Sequence, residues 1–172
     1  MIRIVIAEDQ ELLLGAMGSL LNLEEDMEVV GQASNGEEAL SLVHQLQPDV
    51  CIMDIEMPEM SGLEAAEALK SFGCKVIILT TFARSGYYMR ALRAEVSGFL
   101  LKDSPSDELA NSIRSIHNGD KIYNAELMDE DPIDQKQDME VIRQHHLKEH
   151  TKINTVKNYL TTILDKIKLP TG

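Results

Sequence analysis

Six residues in this chain have side chains suited to acting together: Glu8, Asp9, Asp54, Thr80, Thr81 and Lys102. Each sits where a short apolar run ends: IRIVIA before Glu8-Asp9, DVCIMD at Asp54, KVIILTT at Thr80-Thr81 and VSGFLLK at Lys102. Converging carboxylates raise one another's pKa unless a cation lies among them. A hard divalent ion meets that need, and an oxygen-only donor set suits Mg²⁺, which keeps several waters and accepts a phosphate oxygen beside one or two carboxylates. With the charge neutralised, Asp54 becomes a nucleophile able to take a phosphoryl group, a transfer that needs little beyond positioning. Lys102 supplies a second positive charge. The Thr80 hydroxyl is placed to hydrogen-bond the new phosphoryl oxygens and report the modification.

These residues need a scaffold that gathers distant segments. The runs at 2–7, 27–33, 49–54, 75–81 and 96–102 are rich in Ile, Val and Leu and read as five strands. Between them, apolar residues recur at helical spacing over 12–23, 36–47, 62–72, 85–94 and 106–117. Strands that are apolar almost throughout are buried on both faces. The chain is therefore expected to be α/β, a doubly wound five-stranded parallel sheet with right-handed crossovers. In such sheets ligands bind beyond the carboxyl ends of the strands, which is where the six residues fall. Any one of them could be a helix cap, a turn residue or a surface side chain. Their coincidence at four strand ends is what points to a site.

The order Glu8-Asp9, Asp54 with Met57-Pro58 following and Gly62 beyond, then Thr80 and Lys102, resembles the response-regulator receiver family over roughly residues 1–120. That resemblance implies the CheY-like strand order 2-1-3-4-5 and Asp54 as phosphoacceptor. It also implies Mg²⁺ held by Glu8, Asp9, Asp54 and the Glu56 main-chain carbonyl. Thr80, Thr81 and Lys102 would bind the phosphoryl group, Phe99 would be the rotating aromatic of the switch, and a sensor histidine kinase would be the donor. Many family members follow the lysine with proline, whereas Asp103 follows here and Pro105 comes later.

The charge distribution divides the chain. The formal charge of −13 disfavours nucleic-acid binding by the chain as a whole, yet from Val141 onward six Lys and Arg face two acids, a local +4 on a body of −17. Residues 121–133, with the acidic run MDEDP, read as a linker, and 141–147 and 155–169 as helices. The string INTVKNYLTTILDKIKL resembles the recognition helix of the NarL/FixJ (LuxR-type) subfamily. By that resemblance residues 134–172 form a partial helix-turn-helix effector, with Lys152, Thr155, Lys157, Asn158 and Tyr159 toward DNA and Val156, Leu160, Ile163, Leu164 and Ile167 toward a core. Between Pro132 and Thr155 there is too little chain for the two supporting helices of such a module. Within the subfamily, PDVCIMDIEMP and ILTTFARSGYYMRAL look closest to Gram-positive regulators, including one that controls a membrane-lipid desaturase.

The reading is thus a cytoplasmic transcriptional regulator, not a turnover enzyme, whose phosphorylation promotes a homodimer through residues 85–94, strand five and 106–117. The alternatives are a stand-alone receiver acting by protein contact and an aspartyl-phosphate phosphohydrolase. No run approaches the roughly 18 apolar residues of a membrane span. Cys51 and Cys74 lack metal-ligand spacing and read as buried thiols. The histidines at 145, 146 and 150 read as solvated or facing nucleic acid.

Overall fold

The computed structural model of the chain describes residues 1–81, 84, 86–127 and 156–167. Strands β1 (Ile2–Ala7), β2 (Met27–Ala33), β3 (Val50–Met53), β4 (Lys75–Thr80) and β5 (Gly98–Leu101) alternate with helices α1 (Glu11–Leu21), α2 (Gly36–Leu46), α3 (Gly62–Leu69), α4 (Tyr87–Arg93) and α5 (Ser106–His117). With a further strand, β6 (Ile122–Tyr123), all strand pairs are parallel, in the order β2-β1-β3-β4-β5-β6. The expected fold class and the order of its first five strands are both found.

The sixth strand, β6 (Ile122–Tyr123), was not expected. It pairs with Gly98 and Phe99 and is followed by a 3₁₀ turn, Ala125–Leu127. The segment read as a linker from residue 121 therefore begins inside the sheet. A two-residue strand shows no periodicity, and its partner lies more than twenty residues away, so nothing local reveals it. Residues 128–155, which include the expected helix over 141–147 and the three histidines, lie outside the described residues. The expected carboxyl-terminal helix is present over residues 156–167.

Side chains of successive strand residues point to opposite faces, and each face is covered. Ile4, Ile6, Ile52, Ile77 and Leu79 pack under α1 and α5 with Leu13, Leu20, Leu109 and Ile113. Val5, Cys51, Met53, Ile78 and Phe99 pack under α2, α3 and α4 with Val43, Leu63 and Ala91. Both thiols are free, Cys51 being fully buried.

Two caps fix helix starts close to the site. The Asn35 side chain accepts from the Glu38 N–H at 2.8 Å, opening α2. Ser61 and Glu64 form a reciprocal capping box that opens α3. Gly62 follows Ser61 because the main chain passes very near β3 there: a Cβ at this position would lie 2.0 Å from the Asp54 carbonyl oxygen. Gly62 N–H also donates to the Ile55 carbonyl at 3.0 Å, tying the loop after Asp54 back on itself. Gly62→Ala is accordingly expected to destabilise the chain by about 1–3 kcal/mol through overpacking. The check is the urea midpoint, and an unshifted midpoint would show that the loop relaxes freely.

Candidate functional site

Parallel register aligns the strand ends. Ala7 pairs with Met53 and Thr80 with Leu101, so the next residues, Glu8, Asp54 and Lys102, emerge on one rim. Main-chain bonds hold them: Glu8 N–H donates to Ala33 O at 3.0 Å, Asp54 N–H to Ala7 O at 3.0 Å and Lys102 N–H to Thr80 O at 2.8 Å. These positions are buried although polar, with Glu8 at 1%, Lys102 at 2%, Thr80 at 5% and Asp54 at 6% exposure.

The centre of the rim is one ammonium shared by two carboxylates. Lys102 Nζ lies 2.5 Å from Glu8 Oε2 and 3.0 Å from Asp54 Oδ2. Each acid also accepts a main-chain N–H, Glu8 Oε1 from Gln10 at 3.1 Å and Asp54 Oδ1 from Ile55 at 2.7 Å. Burial pushes the Glu8 carboxyl up to about 7; Lys102 opposes the shift and the Asp54 charge adds to it. Burial alone would lower the Lys102 ammonium, but Asp54 and Glu8 hold it above its ordinary value.

Glu8, Asp9 and Asp54 each present a carboxylate oxygen within 4.8 Å of the others, Asp9 from an exposed position. This all-oxygen donor set fits a hard cation such as Mg²⁺. The Gln10 side-chain oxygen is also buried and has no hydrogen-bond partner among the described residues, an acceptor suited to a water. Gln10 was not anticipated from the sequence, and its position two residues after Glu8 is the signal that could have marked it.

Of the other expected site residues, Phe99 is fully buried on the α2–α4 face, its ring 6.2 Å from that of Tyr88. Thr81 is half-buried beyond the end of β4. The Glu56 carboxylate pairs with Arg84 at 2.9 Å and accepts from the Tyr87 hydroxyl at 3.3 Å, linking the loop after β3 to the start of α4. Neither Arg84 nor Tyr87 was singled out as a partner of this loop.

Of the expected DNA-facing residues, Tyr159 is placed differently from the expectation. Lys152 and Thr155 lie outside the described residues. Lys157 and Asn158 are exposed, whereas Tyr159 is 4% exposed and belongs, with Val156, to the core under α1 and α5. The apolar stripe is turned accordingly: Val156 is buried and Ile163 partly buried, but Leu160, Leu164 and Ile167 are exposed. Helical spacing identifies a stripe but not the surface it meets, and here that surface is the receiver itself.

A doubly wound parallel sheet with three carboxylates, a threonine and a lysine on its carboxyl rim defines a receiver-type α/β domain. The chain belongs to the response-regulator receiver family, whose pattern matches residues 4–114. It is 55% identical to the transcriptional regulatory protein DesR of Bacillus subtilis (strain 168) over 182 residues, covering 98% of this chain and 92% of that one. It is 51% identical to an uncharacterised transcriptional regulatory protein, YvfU, of the same organism over 183 residues, covering 97% and 91%. Among solved structures, a LuxR-family DNA-binding response regulator from Staphylococcus aureus is 38% identical, with TM-score 0.65 over 69% of this chain and 100% of that one. The receiver domain of NarL from Mycobacterium tuberculosis is 31% identical, also with TM-score 0.65, over 69% and 97%. An alignment of 182 positions exceeds the 172 residues of this chain, so at least ten positions of DesR have no counterpart here.

The raised Glu8 carboxyl gives a pH signature. The folded chain holds this proton up to about 7 and the unfolded chain only to about 4.5. The resulting stability is fully present below the lower value and is lost as pH rises through the upper one. In chelator, the melting temperature of the parent should fall more between about pH 5 and pH 7.5 than that of Glu8→Gln. Superimposable profiles would contradict the shift.

Proposed function

We propose that this response regulator is a phosphorylation switch controlling transcription, with Asp54 as phosphoacceptor and a sensor histidine kinase as donor. The observation that carries the reading is the Lys102 ammonium bridging Glu8 and Asp54 within a cluster of three carboxylates at the end of a parallel sheet. An Asp54 carboxylate oxygen attacks phosphorus, the bond from phosphorus to the donor's imidazole nitrogen breaks, and the electron pair stays on that nitrogen. Glu8, Asp9, Asp54 and the Glu56 main-chain carbonyl would hold Mg²⁺, which when bound neutralises charge on the phosphoryl oxygens. Lys102 turns from Glu8 toward the new phosphoryl group, and the Thr80 hydroxyl follows it. Thr81 borders the same rim, and Phe99 is the aromatic behind Thr80 that couples the change to α4 and β5.

The names of the relatives support transcriptional control with DNA as a partner; a second copy of the chain is a further proposed partner. Among the described residues, no helix is long and apolar enough to cross a membrane. Two observations favour a second reading, action through protein contact alone: at least ten positions of DesR are missing here, and Tyr159 is buried against the receiver. The proposed DNA contacts are Lys152, Thr155, Lys157, Asn158 and Tyr159, the last three reaching a duplex only when their helix leaves the receiver.

Two measurements test these readings. With Mg²⁺ and a small phosphodonor the chain should be labelled at one site, and Asp54→Asn should abolish the label; undiminished labelling of the variant would refute the assignment. Binding of the phosphorylated chain to a DNA duplex should weaken steeply with salt, as phosphate contacts require. Absence of binding at low salt would favour the protein-contact reading.

A further inference from the structure

The strand that the sequence did not reveal builds one wall of a pocket. Ile122 N–H donates to Ser97 O at 3.0 Å and Asn124 N–H to Phe99 O at 2.8 Å, which fixes β6 beside β5. Ile122 and Asn124 thereby close one side of a cavity of about 200 Å³ between α5 and the sheet. Its floor is apolar: Leu79, Leu100 and Leu109 are buried, and Ile122 is half-buried beside them. An apolar cavity of roughly 150 Å³ lined by such side chains takes up benzene, so this floor has room for a six-membered ring or a carbon chain of that bulk.

The mouth has a different chemistry. Glu108 is exposed there, with Ser112 one turn after it on α5 and Ser104 in the loop before the helix. Among the described residues, the Glu108 carboxylate and the Ser104 and Ser112 hydroxyls make no hydrogen bond or ion pair. Glu108 is also the one charged residue in the lining, on a chain of formal charge −13. A carboxylate only accepts, and both hydroxyls have free lone pairs, so the mouth favours a positively charged donor and repels an anion. A primary ammonium carries three N–H donors in one group. It can donate to Glu108 and to a neighbouring hydroxyl while its apolar stem lies on the leucines.

The pocket adjoins the strands that carry the rim. Leu79 and Leu100 are register partners, and the next pair along is Thr80 with Leu101. A ligand on this floor therefore rests against the two strands that hold Thr80 and Lys102. We propose that the pocket between α5, β5 and β6 binds small amphiphilic amines, each a compact aromatic or alkyl stem with one primary ammonium. Glu108 selects the charge and the pocket volume selects the stem. The inference stands apart from phosphorylation of Asp54 and from DNA binding, since the lining contains none of the residues assigned to either.

Methyl NMR of Leu and Ile in the full 172-residue chain tests it, with benzylamine, protonated at pH 7 as a lysine side chain is, as the probe. Benzylammonium should shift the methyls of Leu79, Leu100, Leu109 and Ile122 saturably in the millimolar range, as befits a ligand of few atoms. Glu108→Gln should weaken binding about two- to fivefold, the range of an exposed ion pair. Benzyl alcohol, a similar stem without the charge, should bind the parent and this variant alike. Ser112→Phe, which fills the mouth from a half-buried position, should abolish the shifts, and benzoate should produce none. Unchanged Ile4 and Ile52 methyls in both variants serve as the control for intact folding. Three results would overturn the proposal: pocket methyls of the parent that do not shift, benzoate shifting them as far as benzylammonium does, or either variant binding benzylammonium as the parent does.

Discussion

The buried ammonium of Lys102 is the constraint on which the site depends. Taking an ammonium and two carboxylates out of water is expensive, and the cost is offset only when the charges meet at hydrogen-bonding distance and their remaining lone pairs are used. Both conditions are met, because Glu8 and Asp54 share the ammonium and each also accepts a main-chain N–H. Once Glu8 is ionised the two buried carboxylates outnumber the single ammonium, and an exposed carboxylate, Asp9, lies beside them. It is stable enough to fold and still has capacity for added positive charge. A cation among these carboxylates would relieve the repulsion that Lys102 only partly cancels.

The sheet makes this arrangement possible by being dry on both sides. Alternate residues of β1, β3 and β4 feed two separate cores, one under α1 and α5 and the other under α2, α3 and α4. The strand ends are therefore held by packing on two faces, and a side chain leaving such an end has little freedom. The cross-strand register carries the positions of Glu8, Asp54 and Lys102 into contact without a flexible loop between them. Gly62 has the complementary role, since only a residue without a Cβ lets the loop after Asp54 fold back so closely over it.

The carboxyl-terminal helix shows how one amphipathic pattern can serve two surfaces. Its apolar residues meet α1 and α5 at Val156, Tyr159 and Ile163, while Leu160, Leu164 and Ile167 remain exposed. In a chain missing at least ten positions of its relative DesR, the receiver supplies the apolar partner for this helix. The ion network of Arg114, Glu24 and Asp26 takes in Lys166 near the far end of the helix, which meets Glu24 after α1 and Asp107 in α5.

The sequence alone determined the alternation of strands and helices, the parallel sheet and the identity of the rim residues. Strands buried on both faces must be apolar throughout, and polar residues that end such runs stand out. It also determined that a helix begins near residue 156, because helical spacing is local. Only the tertiary structure decided three other matters. The sharing of Lys102 between Glu8 and Asp54 depends on register between segments more than ninety residues apart. The strand at Ile122–Tyr123 is too short to carry a period and exists through its pairing with β5. The side of the last helix that is buried was invisible in the sequence, because periodicity fixes which residues share a stripe while the opposing surface is chosen by the fold. Tyr159 was read as a DNA contact for that reason, and in the folded chain it packs beneath the loop beside the site.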